Sequence, residues 1–231
     1  MKLNTTTIVG SLLIAAGISL MGLFIKSGID NMAFRDRQVT VKGLAEREVE
    51  ANRVTWPIQY SVAGDDLMSL YDKVTQYNAK IVNFLTTNGI DKNEISVNPP
   101  DTYNATTNQY SSGNFRFNYS LSCTVTVTTS KVMKVRELLD RQTELLKEGI
   151  PYSNSYINYQ YTALNDIKPA MIAEATKNAR EAAAQFAKDS GSKVGKMKTA
   201  SQGQFSIDDE PSTPFTKKVR VVTTIVYYLE D

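Results

Sequence analysis

The chain has no histidine, and that absence narrows its chemistry more than any residue it contains. Imidazole is the usual general acid and base near neutral pH and the commonest protein ligand of zinc. A serine or cysteine triad that relays its proton through a ring nitrogen is therefore excluded. Cysteine is nearly as scarce: Cys123 stands alone and can form no internal disulfide. It falls on the apolar side of an alternating run, the place of a small core residue and not of a reactive thiol. Excess charge of either sign is also missing. The 26 basic and 24 acidic residues are mixed along 231 positions and leave a formal net charge of +2, too weak a field to gather nucleic acid. The clusters Lys193/Lys196/Lys198 and Lys217/Lys218/Arg220 read as solvated charges at helix and strand ends.

One long hydrophobic run is present. Residues 8–25 carry no charge, lie between Lys2 and Lys26, and have the minimum length that crosses a bilayer as a helix. No polar face interrupts the run, as one would in a soluble amphipathic helix, and no Ala-x-Ala-like site follows it. Residues 1–26 are therefore read as a retained transmembrane anchor, and residues 27–38 as a juxtamembrane linker. Counting Lys26, Arg35, Arg37 and Lys42 against Lys2 would keep the following domain in the cytoplasm by the positive-inside rule.

Residues 39–231 read as one α+β domain of antiparallel or mixed sheet, with βαβ-type elements packed by about three helices. Alternation predicts strands at residues 39–43 and 54–62, paired as a hairpin, with Pro57 marking a free edge or a bulge. Asp65 and Asp66 open a helix that packs through Leu67, Leu70, Tyr71, Val74, Tyr77, Ile81, Phe84 and Leu85 and stops at Asn88-Gly89. A short strand near residues 94–98 precedes a polar loop at 104–114. A regular strand then puts Phe115, Phe117, Tyr119, Leu121, Cys123, Val125 and Val127 on one face. A second helix over 131–147 and a strand bearing Ile157, Tyr159 and Tyr161 follow. The third helix is expected to start on an Asx cap at Asn165-Asp166 with an early Pro169, to pack through Ile172, Ala175, Ala179, Ala183 and Phe186, and to end at Gly191. After a strand over 198–207 and an acidic turn, residues 217–229 are apolar on both faces, as a central strand is.

Few motifs carry chemistry. Residues 191–196 (GSKVGK) are one residue short of a phosphate-binding loop, continue into Met197, and follow a helix where a strand is required, so they read as a helix cap. Asp208-Asp209-Glu210 lacks the spaced oxygen ligands of a calcium loop and reads as a solvated turn. Glu46, Glu48 and Glu50 form the wet face of a strand. No catalytic, cofactor-binding or metal-binding set emerges. Tyr156, Tyr159 and Tyr161 offer the alternative, a small-molecule pocket or a histidine-independent active site, although aromatic residues on a strand more often build core.

Five stretches carry a resemblance: 41–49 (VKGLAEREV), 164–169 (LNDIKP) running into 172–176 (IAEAT), 179–183 (AREAA), 200–206 (ASQGQFS) and 217–224 (KKVRVVTT). In this order they resemble the SIMPL-domain family. The resemblance implies an exported domain, here facing the periplasm from the inner membrane against the charge count. It implies a tendency to self-assemble, since at least one relative forms a large ring, and a link in some members with envelope or oxidative stress. It brings no agreed catalytic residues. The function expected is a non-catalytic interaction or scaffold module, with the membrane at residues 8–25 and a second copy of the chain as partners and no cofactor.

Overall fold

A computed structural model describes residues 5–34, 37–105, 116–153 and 156–230. The chain runs through α1 (Thr5–Phe34), β1 (Gln38–Glu50), β2 (Arg53–Gly64), α2 (Leu67–Thr87), a 3-10 turn (Lys92–Glu94), β3 (Ile95–Val97), β4 (Asp101–Asn104) and β5 (Tyr119–Thr129). It continues through α3 (Val132–Asp140), α4 (Thr143–Lys147), β6 (Tyr152–Ser153), β7 (Asn158–Gln160), α5 (Leu164–Asp189), β8 (Lys193–Gln202), β9 (Ser206–Asp209) and β10 (Thr216–Glu230). The fold is α+β, as expected. Its contacts gather into two compact units: the described residues of Met1–Arg47, Ile167–Ser206 and Arg220–Asp231, and those of Glu48–Asp166 and Ile207–Val219.

At 1.5 Å per residue the 30 residues of α1 extend about 45 Å. Its window Leu12–Ile29 has a mean hydropathy of 1.9 and none of it is buried, which makes it a candidate membrane span overlapping the run read from the sequence. A membrane anchor and a signal sequence both meet this criterion of length and composition.

The unit that holds residues 48–166 is built on a ladder of large side chains. In the antiparallel pair β2 and β5, Trp56 faces Val127, Ile58 faces Val125, Tyr60 faces Cys123 and Val62 faces Leu121, and all eight are buried. Period-2 alternation puts these eight on one face, where Leu70, Val74, Ile81, Phe84 and Leu85 of α2 and Val132, Val135 and Leu138 of α3 join them in one cluster. Each such side chain contributes on the order of 1.5–3 kcal/mol when fully buried. Asp66 caps α2 by accepting from the Ser69 amide at 3.1 Å, and Gly89 beyond its end takes φ +92°, both at the residues the sequence marked. Pro57 sits where β2 loses its outer partner: β7 pairs with residues 53–55 and β6 with 59–60, so neither meets the proline.

The other unit is built on close approach. Its sheet has the order β1-β10-β8, which makes β10 central as expected, with Val221, Thr223, Ile225 and Tyr227 buried on one face and the opposite face half-buried. In α5, Met171, Ala175, Ala179, Ala183 and Ala187 are buried at strict spacings of four, a single ridge along the helix. A Cβ on Gly43 of β1 would lie 1.8 Å from the Ala175 carbonyl oxygen and 2.5 Å from the Ala179 nitrogen, so only glycine fits there.

Several expectations are corrected. β1 and β2 do not pair; they belong to different sheets. The amides of Ala51 and Asn52 between them donate to the carbonyls of Phe215 and Gln160, so the chain changes sheets where a hairpin turn was expected. The second helix breaks into α3 and α4, because Arg141 and Gln142 close a tight turn onto Leu138 and Leu139. β4 and β6 carry no apolar run and escape a reading by periodicity. The expected strand face loses Phe117, which is exposed, and the loop expected at 104–114 lies, from 106 on, outside the described residues, as does Phe115. α5 starts at Leu164, ahead of the expected Asx cap: Asn165 and Asp166 are in its first turn, and the Ala163 carbonyl accepts the Asp166 amide. Its packing ridge runs through Met171 and Ala187, leaving Ile172 half-buried and Phe186 exposed.

Gly43→Ala should destabilise the chain by about 3 kcal/mol, read as a shifted denaturation midpoint, whereas Gly28→Ala, with open space around its Cβ, should leave the midpoint unchanged. Equal effects would contradict the close approach.

Candidate functional site

Three segments that looked unremarkable one by one meet in the unit holding residues 48–166 and 207–219. β9 and β10 form a hairpin whose turn is closed by the Thr213 amide on the Glu210 carbonyl at 3.0 Å and the Thr216 amide on Thr213 at 2.8 Å. The hairpin brings Lys217 onto Asp209 in a salt bridge, with 4% of the lysine side chain and 52% of the aspartate exposed. Tyr156 Oη adds a long hydrogen bond to Asp209 Oδ2 at 3.4 Å. Lys217 is thus not the solvated strand-end charge that the sequence suggested. It lies on the inward face of β10 because the two-residue alternation that buries Val219 and Val221 also points Lys217 inward.

The hydrogen bond from Lys217 holds the Asp209 carboxyl below its ordinary range, against a smaller opposing effect of burial. A carboxylate held below its ordinary range is a weak base near neutral pH, so Asp209 is better suited to polar contact with Lys217 than to proton transfer. Tyr159, from β7, is buried and opposite Val54, and burial pushes its phenol upward while Arg136 pulls it back. Its ring meets Phe215 edge-on with centroids 6.5 Å apart, and the Arg136 guanidinium lies 3.7 Å above Phe215. Together Tyr159, Tyr161, Thr162, Ile207, Asp209 and Lys217 line a shallow depression of about 290 Å³. The three candidate tyrosines part company here: Tyr159 is core, Tyr161 is half-buried at the rim, and Tyr156 is exposed.

Elsewhere the sequence candidates resolve simply. Gly191 takes φ +68° after α5, and the GSKVGK stretch becomes a helix cap and the first residues of β8. Cys123 is buried, with its Sγ 3.3 Å from the Asn98 carbonyl and 3.5 Å from Asn78 Oδ1. Tyr60 Oη lies 2.7 Å from the same Asn78 oxygen, and burial drives its phenol far above the usual range. Glu46 meets Arg220 at 3.6 Å on the wet side of β1. Among the described residues no group of acidic or cysteine side chains is placed to hold a metal ion.

A second feature lies at a sheet edge. Among the described residues β8 pairs with β10 alone, and its residues are almost all exposed. Its pairing is regular from Gln202 opposite Thr223 to Thr199 opposite Val226, then shifts twice, with Met197 opposite Tyr227 and Val194 opposite Leu229. The shifted half carries Lys193, Lys196 and Lys198, the bulges and lysines with which proteins blunt an edge. The regular half, residues 199–202, has neither device.

Fold and sites thus define an α+β protein with two antiparallel sheets and one candidate membrane helix. The family model of SIMPL, described as a protein of unknown function (DUF541), matches residues 39–227, and the chain belongs to that family. No curated protein is found to match the chain.

Asp209→Ala leaves the inward Lys217 ammonium without its counter-ion and should cost about 2 kcal/mol, more than Lys217→Met, whose apolar stem still fills the site. Because the folded state depresses the Asp209 pKa, its contribution is complete above the ordinary aspartate range and is lost as pH falls through the lower folded value. Asp209→Asn should therefore flatten the acid limb of stability against pH. An unaltered limb would contradict the pairing.

Proposed function

We propose that this chain is a membrane-anchored, non-catalytic interaction module that self-associates through the uncharged half of the β8 edge. The observation that carries the reading is that edge itself: residues 199–202 are regular, exposed and paired on one side only, beside a half of the same strand that is both bulged and lysine-rich. An extended edge offers a row of unpaired N–H and C=O groups to a strand from another chain. A second copy can supply one, because β1 forms the opposite edge of the same sheet. Pairing one edge with a different edge of the next copy gives a head-to-tail contact, which closes into a ring if the rotation allows.

The placement proposed is the outer face of a bacterial inner membrane, with α1 retained as the anchor and the rest of the chain in the periplasm, where a role in envelope or oxidative stress is open to it. Long domains cross despite flanking positive charge, which lets this orientation stand against the lysine and arginine count.

Light scattering of the detergent-solubilised full chain should give a uniform mass of several copies, and Thr199→Lys with Ser201→Lys should reduce it to one. A monomeric wild type, or an unaltered mass in the variant, would overturn the reading. For placement, a cysteine introduced at exposed Lys177 should react with a membrane-impermeant maleimide in intact spheroplasts, while buried Cys123 stays silent. Labelling only after the membrane is opened would put the domain on the other side.

A further inference from the structure

Two irregularities of the unit that holds residues 48–166 meet at one cavity. Along the outer side of β2, β7 pairs with residues 53–55 and β6 with 59–60, and the stretch between them carries Pro57, which has no N–H to offer a neighbour. On the helical side, the turn at Arg141 and Gln142 separates α3 from α4 and interrupts what would be one continuous wall. Trp56, Pro57 and Ile58 from β2 and Gln142 from the helix break line the same cavity of about 280 Å³.

The apolar walls are Ile58, Leu139, Leu145 and Ile157, and among the described residues no charged side chain lines the cavity. An apolar cavity of about 150 Å³ already accommodates benzene, so this one admits a six-membered ring with a substituent. Its polar groups are few and unspent. Trp56 is 4% exposed, and among the described residues its indole N–H has no hydrogen-bond partner, whereas a buried indole usually finds one. The nitrogen is not sealed in the core: among the described residues, the enclosed side-chain atoms without a partner are the hydroxyls of Thr223 and Tyr227. What little of Trp56 is accessible therefore includes its donor, on a side chain that lines the cavity. Gln142 is half-buried and likewise has no side-chain partner among the described residues, so it adds an amide to the same wall.

We infer that this cavity binds a small, uncharged, mostly apolar molecule whose carbonyl oxygen accepts the Trp56 indole hydrogen bond while its body rests on Ile58, Leu139, Leu145 and Ile157. A charged ligand would lose its hydration here without meeting a counter-ion, and a plain hydrocarbon would leave the indole donor unpaired. A few polar groups in an apolar cavity are how small-molecule sites fix orientation. The cavity and residues 199–202 belong to different units, so ligand binding and self-association through the β8 edge can fail independently.

Trp56 is the only tryptophan of the chain, which makes its indole the reporter. The full chain, labelled with nitrogen-15 tryptophan and held in detergent micelles, is titrated with cyclohexanone, with cyclohexanecarboxylate as the charged counterpart of the same ring. Cyclohexanone should move the single indole N–H resonance downfield, as a new hydrogen bond does, and saturate at about millimolar concentration. The carboxylate should bind about tenfold more weakly or worse. Two variants are followed by saturation transfer from protein to cyclohexanone. Trp56→Phe, which removes the donor, should weaken binding by about two- to tenfold, and Ile157→Phe, which narrows the cavity, by at least as much. Circular dichroism on each variant separates lost binding from lost fold. An indole resonance that cyclohexanone leaves in place, equal binding of the carboxylate, or wild-type binding by either folded variant would overturn the inference.

Discussion

The unit that carries α5 depends on how closely that helix lies against β1. Where Gly43 passes beneath Ala175 and Ala179 there is no room for a single carbon atom. Such proximity requires small residues on both partners, and α5 meets it with an alanine ridge at spacings of four. The ridge buries little area per residue, so the contact gains from dispersion and exclusion of water more than from large side chains. It has two consequences. Bulkier Phe186 is left outside the ridge, and the ring of Tyr227 joins Ala179 and Ala183 in the cluster beneath α5 while its hydroxyl finds no partner.

The unit that holds β2 and β5 follows a different rule. Within eleven paired positions its strands set Trp56, Ile58, Tyr60 and Val62 opposite Val127, Val125, Cys123 and Leu121, and two helices close the same face. Its buried polar groups are matched: Tyr60 and Cys123 share Asn78, and Lys217 has Asp209. Matching a buried charge in this way restores what desolvation removes, without making the pair a large net source of stability.

Much of this was legible in the residues. Strong periodicity gave α2 and β10 nearly to the residue and β5 from Tyr119 on, since amphipathic patterns of useful length have one solution. The caps at Asp66, Gly89 and Gly191 were readable because each is a local chemical requirement. Pairing was not readable. Whether β1 turns back on β2 depends on Ala51 and Asn52 finding distant acceptors, Phe215 and Gln160, which no local pattern announces. The short strands β4 and β6 were hidden for the same reason: they exist because β5 and β2 offer them partners. The Lys217–Asp209 pair was missed although a signal existed. Two opposite charges eight residues apart across an acidic, proline-bearing turn are cross-strand neighbours if the turn is tight.

β8 draws these strands together. One half is bulged and lysine-bearing, and the other is regular, uncharged and unpaired on its outer side, in a SIMPL-family chain that also carries a candidate membrane helix. That second half is where copies of the chain are proposed to meet. Hydrogen–deuterium exchange of the full chain across a dilution series addresses it directly. The account predicts that the amides of residues 199–202 are protected at high concentration and lose protection on dilution, while those of 193–198 do not change. Exchange at 199–202 that is fast and indifferent to concentration would contradict it.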